Sequence, residues 1–262
     1  MVFEITFVIL FSLCIGSFLN VLIYRLPLGI SLINPKRSVC PHCKYSIPLY
    51  QNIPIISFLL LQGKCSSCKQ NISITYPLIE ILTVIITVIL YQIIGLTYEF
   101  YLLTLIFYTL LCLSIIDFKY KAVPDILLLV LIVLSLFYIF NYKIHNISTY
   151  FIFAGGIVII EFFVTFYIQN IKSHLLKDNS LREQKALGEG DIPIIALIGG
   201  IMGLNLGIFT IFLSAILAII PSMINTILKK EIETPFIPYL ALALFITYAN
   251  KNLITTFLQG LM

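Results

Sequence analysis

Charge is what this sequence has least of. Only 11% of its 262 residues are Asp, Glu, Lys or Arg, while 60% are hydrophobic and the mean hydropathy is +1.06. A soluble domain carries about 25% charged residues. This chain cannot cover a water-facing surface, so a soluble globular protein is excluded and an integral membrane protein is expected. Alternation of apolar and polar residues over ten-residue segments is also missing, which excludes a transmembrane β-barrel. The opening residues MVFE hold no Lys or Arg, and positive charge follows the first apolar run instead. A cleavable signal peptide has the reverse order, so a permanent first helix with its N-terminus outside is expected. Residues 37–73 contain no Asp or Glu, which argues against an oxygen-rich metal site there.

What the chain does have is long apolar runs. Eight are read, at 2–23, 76–94, 100–116, 125–140, 147–168, 193–204, 206–228 and 236–248. Most approach the roughly 20 residues that carry a helix across a core of about 30 Å. The fold class expected is an all-α integral membrane protein of about eight transmembrane helices. The sixth run is short and has Gly199, Gly200, Gly203 and Gly207 in or beside it, so a tilted, broken or partly re-entrant segment is expected there. Fourteen of the sixteen Lys and Arg residues fall in alternate connections, after runs 1, 3, 5 and 7; only Lys143 and Lys251 fall elsewhere. The excess of positive charge marks those four connections as cytoplasmic and puts both termini outside.

The first connection carries Cys40, Cys43, Cys65 and Cys68 as C-x2-C, 21 residues, C-x2-C. Each pair places two thiolates on one tight turn, and two turns together close a tetrahedral zinc site. Four cysteine ligands leave no open position, so the ion orders the loop and does not catalyse. Disulfides are disfavoured in a reducing compartment; a redox pair and unconnected thiols are the remaining alternatives. His42 is read as a bystander, and Cys14 and Cys112, inside spans, as packing residues.

Ionisable groups beside apolar spans are costly and point to function. Five acids qualify: Glu80, Asp117, Asp125, Glu161 and Asp191. Asp125 follows Pro124 and Glu80 follows Pro77, so both read as acids favoured by a helix N-terminus. Glu161 sits mid-span without an assigned role. Asp117 ends run 3, where the helix dipole disfavours a carboxylate; pairing with Lys119 or Lys121 is its structural alternative. Asp191 follows Gly188-Glu189-Gly190 and precedes Pro193. With Pro193 at the first helical position, Asp191 is expected just outside the helix. Topology puts Asp117 and Asp191 at the same membrane face. If they are neighbours they share a proton, one carboxylate activating water and the other protonating the leaving amide.

These segments, taken in order, resemble the prepilin peptidases of type IV pilus, competence and type II secretion systems, which are membrane aspartyl proteases with a G-x-G-D signature. The resemblance covers most of the chain. It rests on GSFLNVLIYRLP (16–27), the paired cysteines with QNIPIISFLLLQGKC (51–65), YPLIE (76–80), IDFKYKAVPD (116–125), GEGD (188–191) and PFIPYLALA (235–243). It implies that Asp117 and Asp191 are the catalytic aspartates and that Cys40, Cys43, Cys65 and Cys68 are the metal-binding tetrad. It implies cleavage of a basic leader from prepilins or pseudopilins, followed by methylation of the new amine with S-adenosylmethionine, an activity tied to the cysteine loop. The family commonly has Lys two residues after the G-x-G-D aspartate, and here that residue is Pro193. No Gly-rich Rossmann fingerprint marks a methyl-donor site; Gly16, Asn20, Arg25 and Glu80 are the candidates at the inner face.

The expected organisation is a first helix (1–24), a cysteine-tetrad domain (25–75) and a polytopic protease domain (76–262). The expected setting is a bacterial inner membrane, with lipid and prepilin as partners and no nucleic acid. Two alternatives stay open: a peptidase without methyl transfer, and a transporter with a zinc-ordered loop. A transporter would more naturally hold its acids near mid-membrane.

Overall fold

The computed structural model describes residues 2–34, 37–176, 182, 188–227 and 235–261. Lys36, Lys177, Lys185, Lys229 and Lys230, used above for orientation, lie outside the described residues. Within them the chain is helical, as lipid requires of a backbone that must satisfy its own hydrogen bonds. Among the described residues, six helices are long and apolar enough to cross a membrane. The chain divides into two compact units, Met1–Pro124 and Asp125–Met262.

The first unit holds α1 (Val2–Arg25), the short α2 (Ile56–Leu60), α3 (Thr75–Ile94) and α4 (Tyr98–Tyr120). Helix α1, about 36 Å long at 1.5 Å per residue, packs along α3. Gly16 makes this approach possible: a Cβ there would stand 2.5 Å from Thr83 Oγ1 and 2.9 Å from Glu80 Cα. Side-chain bonds to backbone then stitch the two helices. Asn20 Nδ2 donates to the Tyr76 carbonyl (3.1 Å), and Thr83 Oγ1 donates to the Ser12 carbonyl (3.1 Å). Small residues and interhelical polar contacts do this work in lipid, where apolar burial between helices supplies little drive. Gly95 (φ 71°) ends α3, and the Thr97 hydroxyl accepts from the Phe100 N–H to start α4.

The second unit holds α5 (Asp125–Tyr142), α6 (Ile147–Phe166), a π-helical turn (Tyr167–Lys172), α7 (Ser173–Leu176), α8 (Asp191–Ile227), α9 (Ile237–Ala249) and α10 (Lys251–Leu261). Helix α8 is not straight. At Gly203 (φ 75°, ψ −172°) the backbone leaves the helical region for one that only glycine adopts freely. A Cβ on Gly207 would lie 3.7 Å from Gly199 Cα, whereas residues eight apart on a straight helix are about 12 Å apart. The chain therefore doubles back. Carbonyls near the break find side-chain donors: Asn146 Nδ2 bonds the Gly200 carbonyl (3.2 Å) and Thr149 Oγ1 the Gly199 carbonyl (3.0 Å).

Among the described residues the expected count of eight spans is not confirmed. Runs six and seven are the two arms of α8, and the first arm, 191–202, is about 18 Å long, short of the bilayer core. Run eight corresponds to α9, which has 13 residues. Helix α10 was not expected, because its apolar residues recur at helical spacing instead of forming a run.

Candidate functional site

The cysteine loop folds as one short unit used twice. Cys40 N–H bonds the Tyr45 carbonyl (2.9 Å) and Lys44 N–H bonds the Cys40 carbonyl (2.9 Å). Twenty-five residues later, Cys65 N–H bonds the Gln70 carbonyl (2.8 Å) and Lys69 N–H bonds the Cys65 carbonyl (3.0 Å). Each turn is closed by one bridge, Val39 to Ser46 and Lys64 to Asn71. Lys44 and Lys69 both hold φ 60°, an uncommon angle for a residue with a side chain. Sequence reasoning missed this duplication. Its signal is C-x2-C-K-x-S-I against C-x2-C-K-x-N-I.

The four sulfurs converge, all within 4.8 Å of one another, with Cys40 Sγ 3.9 Å from Cys68 Sγ. Zinc with Zn–S bonds of about 2.3 Å holds its sulfurs about 3.8 Å apart, so the donor set fits that ion. Cys40 and Cys65 are buried, Cys68 is half-buried and Cys43 exposed. The thiols compete for charge. The Tyr45 amide lowers Cys43. The Cys68 and Ser67 amides lower Cys65 to about 7. The Gln70 amide pulls Cys68 down, but desolvation and the three neighbouring sulfurs outweigh it and push that thiol up to about 11. A cation among them relieves the competition by replacing protons. Cys112 is buried, as a packing residue should be; Cys14 is exposed on α1, so the packing role expected for it does not hold.

Between the cysteine turns, Pro54–Ile56 makes a tight γ-turn in which the Ile56 N–H bonds the Pro54 carbonyl. Ile55 sits at φ 60°, ψ −50°, a strained position for a β-branched residue. Glu80 holds it: Oε2 accepts from the Ile55 N–H at 2.8 Å. Glu80 is the sixth residue of α3, beyond the first turn, so the N-terminal role expected for it gives way to this long-range bond. Beside it lies a cavity of about 340 Å³ lined by the end of α1, the start of α3 and the cysteine loop, with Lys119 at its α4 edge.

Asp117 occupies the last turns of α4 and is 8% exposed. Its carbonyl accepts from the Lys121 N–H (2.9 Å), and Lys121 turns left-handed (φ 50°) to end the helix. Asp191 is 6% exposed and is the first residue of α8. This corrects the expected placement outside the helix. The Asp191 N–H bonds the Gly188 carbonyl (3.0 Å), so the turn forms two residues earlier than Pro193. Pro193 then falls inside the first turn, where its missing N–H costs no helical bond. Asp191 Oδ2 lies 3.4 Å from where a Cβ on Gly188 would sit, an ordinary van der Waals contact. Asp125 begins α5 and is exposed; Glu161 is half-buried in α6. Asp117 belongs to the first unit and Asp191 to the second.

Known proteins share both halves of this pattern. The bacterial peptidase A24 N-terminal domain profile matches residues 10–94, which include all four cysteines of the cluster and Glu80. The type IV leader peptidase family profile matches 102–223, which include Asp117 and Asp191. A prepilin leader peptidase/N-methyltransferase of Vibrio cholerae is 33% identical over 227 residues, covering 83% of this chain and 86% of that protein. One of Pseudomonas aeruginosa is 31% identical over 278 residues, covering 96% and 92%. No solved structure matches the chain.

Proposed function

The chain belongs to the type IV leader peptidase family, and from that premise we propose that it removes the leader of type IV prepilins or pseudopilins and N-methylates the residue so exposed. The observation that carries this reading is the ordered match of both profiles, with two buried aspartates inside the second. The functional division follows the sequence: helix 1–24, cysteine-tetrad domain 25–75, protease domain 76–262. The enzyme works as a multi-pass protein of the bacterial inner membrane, with its active site at the cytoplasmic face, where the excess of Lys and Arg lies.

Asp117 and Asp191 act as the catalytic pair. One carboxylate takes a proton from water as the water oxygen attacks the scissile carbonyl carbon. The other, protonated, donates to the carbonyl oxygen and recovers that proton as the tetrahedral intermediate collapses, while the proton taken from water passes to the departing amine. Each carboxylate sits at a helix end, Asp191 at the start of α8 and Asp117 in the last turns of α4. Cys40, Cys43, Cys65 and Cys68 hold a structural zinc, and S-adenosylmethionine supplies the methyl group.

The test is co-expression with a prepilin. Asp117→Asn and Asp191→Asn should each slow leader removal by about 10²–10⁴-fold, read as unprocessed substrate on gels. Normal processing by either variant would remove it from the pair. Mass spectrometry of the mature N-terminus separates methylating from peptidase-only activity.

A further inference from the structure

The sequence left four candidates for the methyl-donor site: Gly16, Asn20, Arg25 and Glu80. The structure sorts them. Gly16 is consumed by packing against Thr83 and Glu80 and does not line the 340 Å³ cavity. Asn20 lines it, but Nδ2 is committed to the carbonyls of Gly16 and Tyr76. Arg25 also lines it, with Nη1 on the carbonyls of Ser31 and Leu32 and Nη2 on that of Arg37. It organises the chain leaving α1. Glu80 remains. It is 7% exposed, one oxygen holds the Ile55 N–H, and the residue lines the cavity.

Glu80 is the single acid among the cavity's lining residues. A buried carboxylate repels a phosphate-bearing ligand and attracts a cation. Tyr24, Tyr45, Phe58 and Tyr76 also line the space and offer flat apolar faces to a planar ring. Its volume lies at the small end of the range for small-molecule sites, about 300–1,000 Å³. Its edge at Lys119 is two residues from Asp117, next to where the reading above generates the substrate's new amine.

We propose that this cavity binds the adenosyl sulfonium methyl donor, with ring contacts from the tyrosines and Phe58 and with the carboxylate of Glu80 facing the sulfonium cation. This rests on the methyl-transfer half of the proposed function. When the donor is bound, its S–CH₃ bond breaks with the electron pair staying on sulfur, an N–CH₃ bond forms from the amine lone pair, and the amine proton leaves to water. The donor thereby loses its positive charge, so Glu80 favours the sulfonium over the neutral thioether product. Glu80 is a binding residue of the donor and also the clamp on Ile55, and the two roles separate by charge.

The experiment uses the full chain in detergent micelles and two probes, S-adenosylmethionine and S-adenosylhomocysteine, with calorimetric titration. The wild-type chain should bind both. Glu80→Gln keeps the side-chain shape and an oxygen to accept from Ile55, but loses the charge. It should bind the sulfonium about tenfold more weakly or worse, and the neutral thioether within about threefold of wild type. Equal loss of both ligands, or loss of neither, overturns the assignment. Ultraviolet cross-linking of the donor to the wild-type chain needs no variant: label on peptides from 17–25, 38–58 or 65–80 supports the site, and label confined elsewhere overturns it. A wild-type chain that binds neither probe and leaves mature substrate unmethylated overturns the methyl-transfer reading itself.

Discussion

The cysteine loop and the α6–α8 contact both bend the backbone sharply, and they do so by opposite means. In the loop, strain falls on ordinary residues: Lys44, Ile55, Gln62 and Lys69 all hold φ between 51° and 60°. Within α8 it falls on Gly203. The loop's strained residues are held by partners far along the chain, which are the converging sulfurs and the Glu80 carboxylate. The α8 break needs no anchor for its angle, because glycine adopts it without steric cost. It needs donors for the carbonyls near it, and Asn146 and Thr149 provide them. A loop outside the lipid can store strain against a ligand; a break inside lipid must be unstrained and fully hydrogen-bonded.

Removing the ligand should therefore break the comparison most completely. Structural zinc contributes about 10–16 kcal/mol of apparent binding energy in small domains. Cys40→Ser, or a chelator at neutral pH, should expose 38–71 to protease and hydrogen exchange while leaving amides of α6 and α8 as protected as before. Purified wild-type chain should contain close to one zinc. A loop that stays protected without metal would show that Glu80 and the backbone bridges suffice.

Acid should have the same effect more gradually. Thiols bind zinc as thiolates, so metal competes with protons. Cys65, lowered to about 7, is ionised above that value and holds its ligand form there; Cys68, raised to about 11, must lose its proton on binding at any physiological pH. Affinity therefore rises with pH. Below pH 7 the slope steepens as Cys65 also retains its proton. Zinc retention against a fixed chelator concentration, followed from pH 8 to pH 5.5, should show that bend.

How much of this was legible beforehand depended on the reach of each interaction. The tetrad was readable because two residues separate each pair of thiols, and spacing that short fixes a turn. The break at Gly203 was readable as a short apolar run crowded with glycine. Asp191 was misplaced because the helix start was assigned from Pro193, while a bond from its own N–H to Gly188 begins the turn earlier. Glu80 was misread for a different reason. Its partner, Ile55, is 25 residues away, and nothing in either local sequence announces a γ-turn. Helix α10 escaped because a search for continuous apolar runs cannot see Leu253, Ile254, Phe257 and Leu258 as one face.

On the lipid side, Gly203→Ala should cost about 1–3 kcal/mol, the price of a side chain in a region reserved for glycine. Thermal unfolding in detergent should register it, and the cysteine loop should keep its zinc. The equivalent change in the loop, Lys69→Gly, should have the opposite sign: relieving φ 60° gains stability. A destabilising Lys69→Gly would mean that the lysine side chain has a role beyond its backbone angle.

The smallest effect should come from Asn146→Ala. The substitution leaves the Gly200 carbonyl without its side-chain donor. Interhelical hydrogen bonds in membrane proteins average about 0.6 kcal/mol, because the opened state finds other partners. Thr149 would still hold the neighbouring Gly199 carbonyl, so the hairpin should persist with a slightly lower melting temperature. The double variant with Thr149→Val removes both donors. If the two act as one unit that satisfies the break, its loss should exceed the sum of the single losses. Simple additivity would instead show that each carbonyl is satisfied independently, and that the glycine angle alone sets the fold-back of α8.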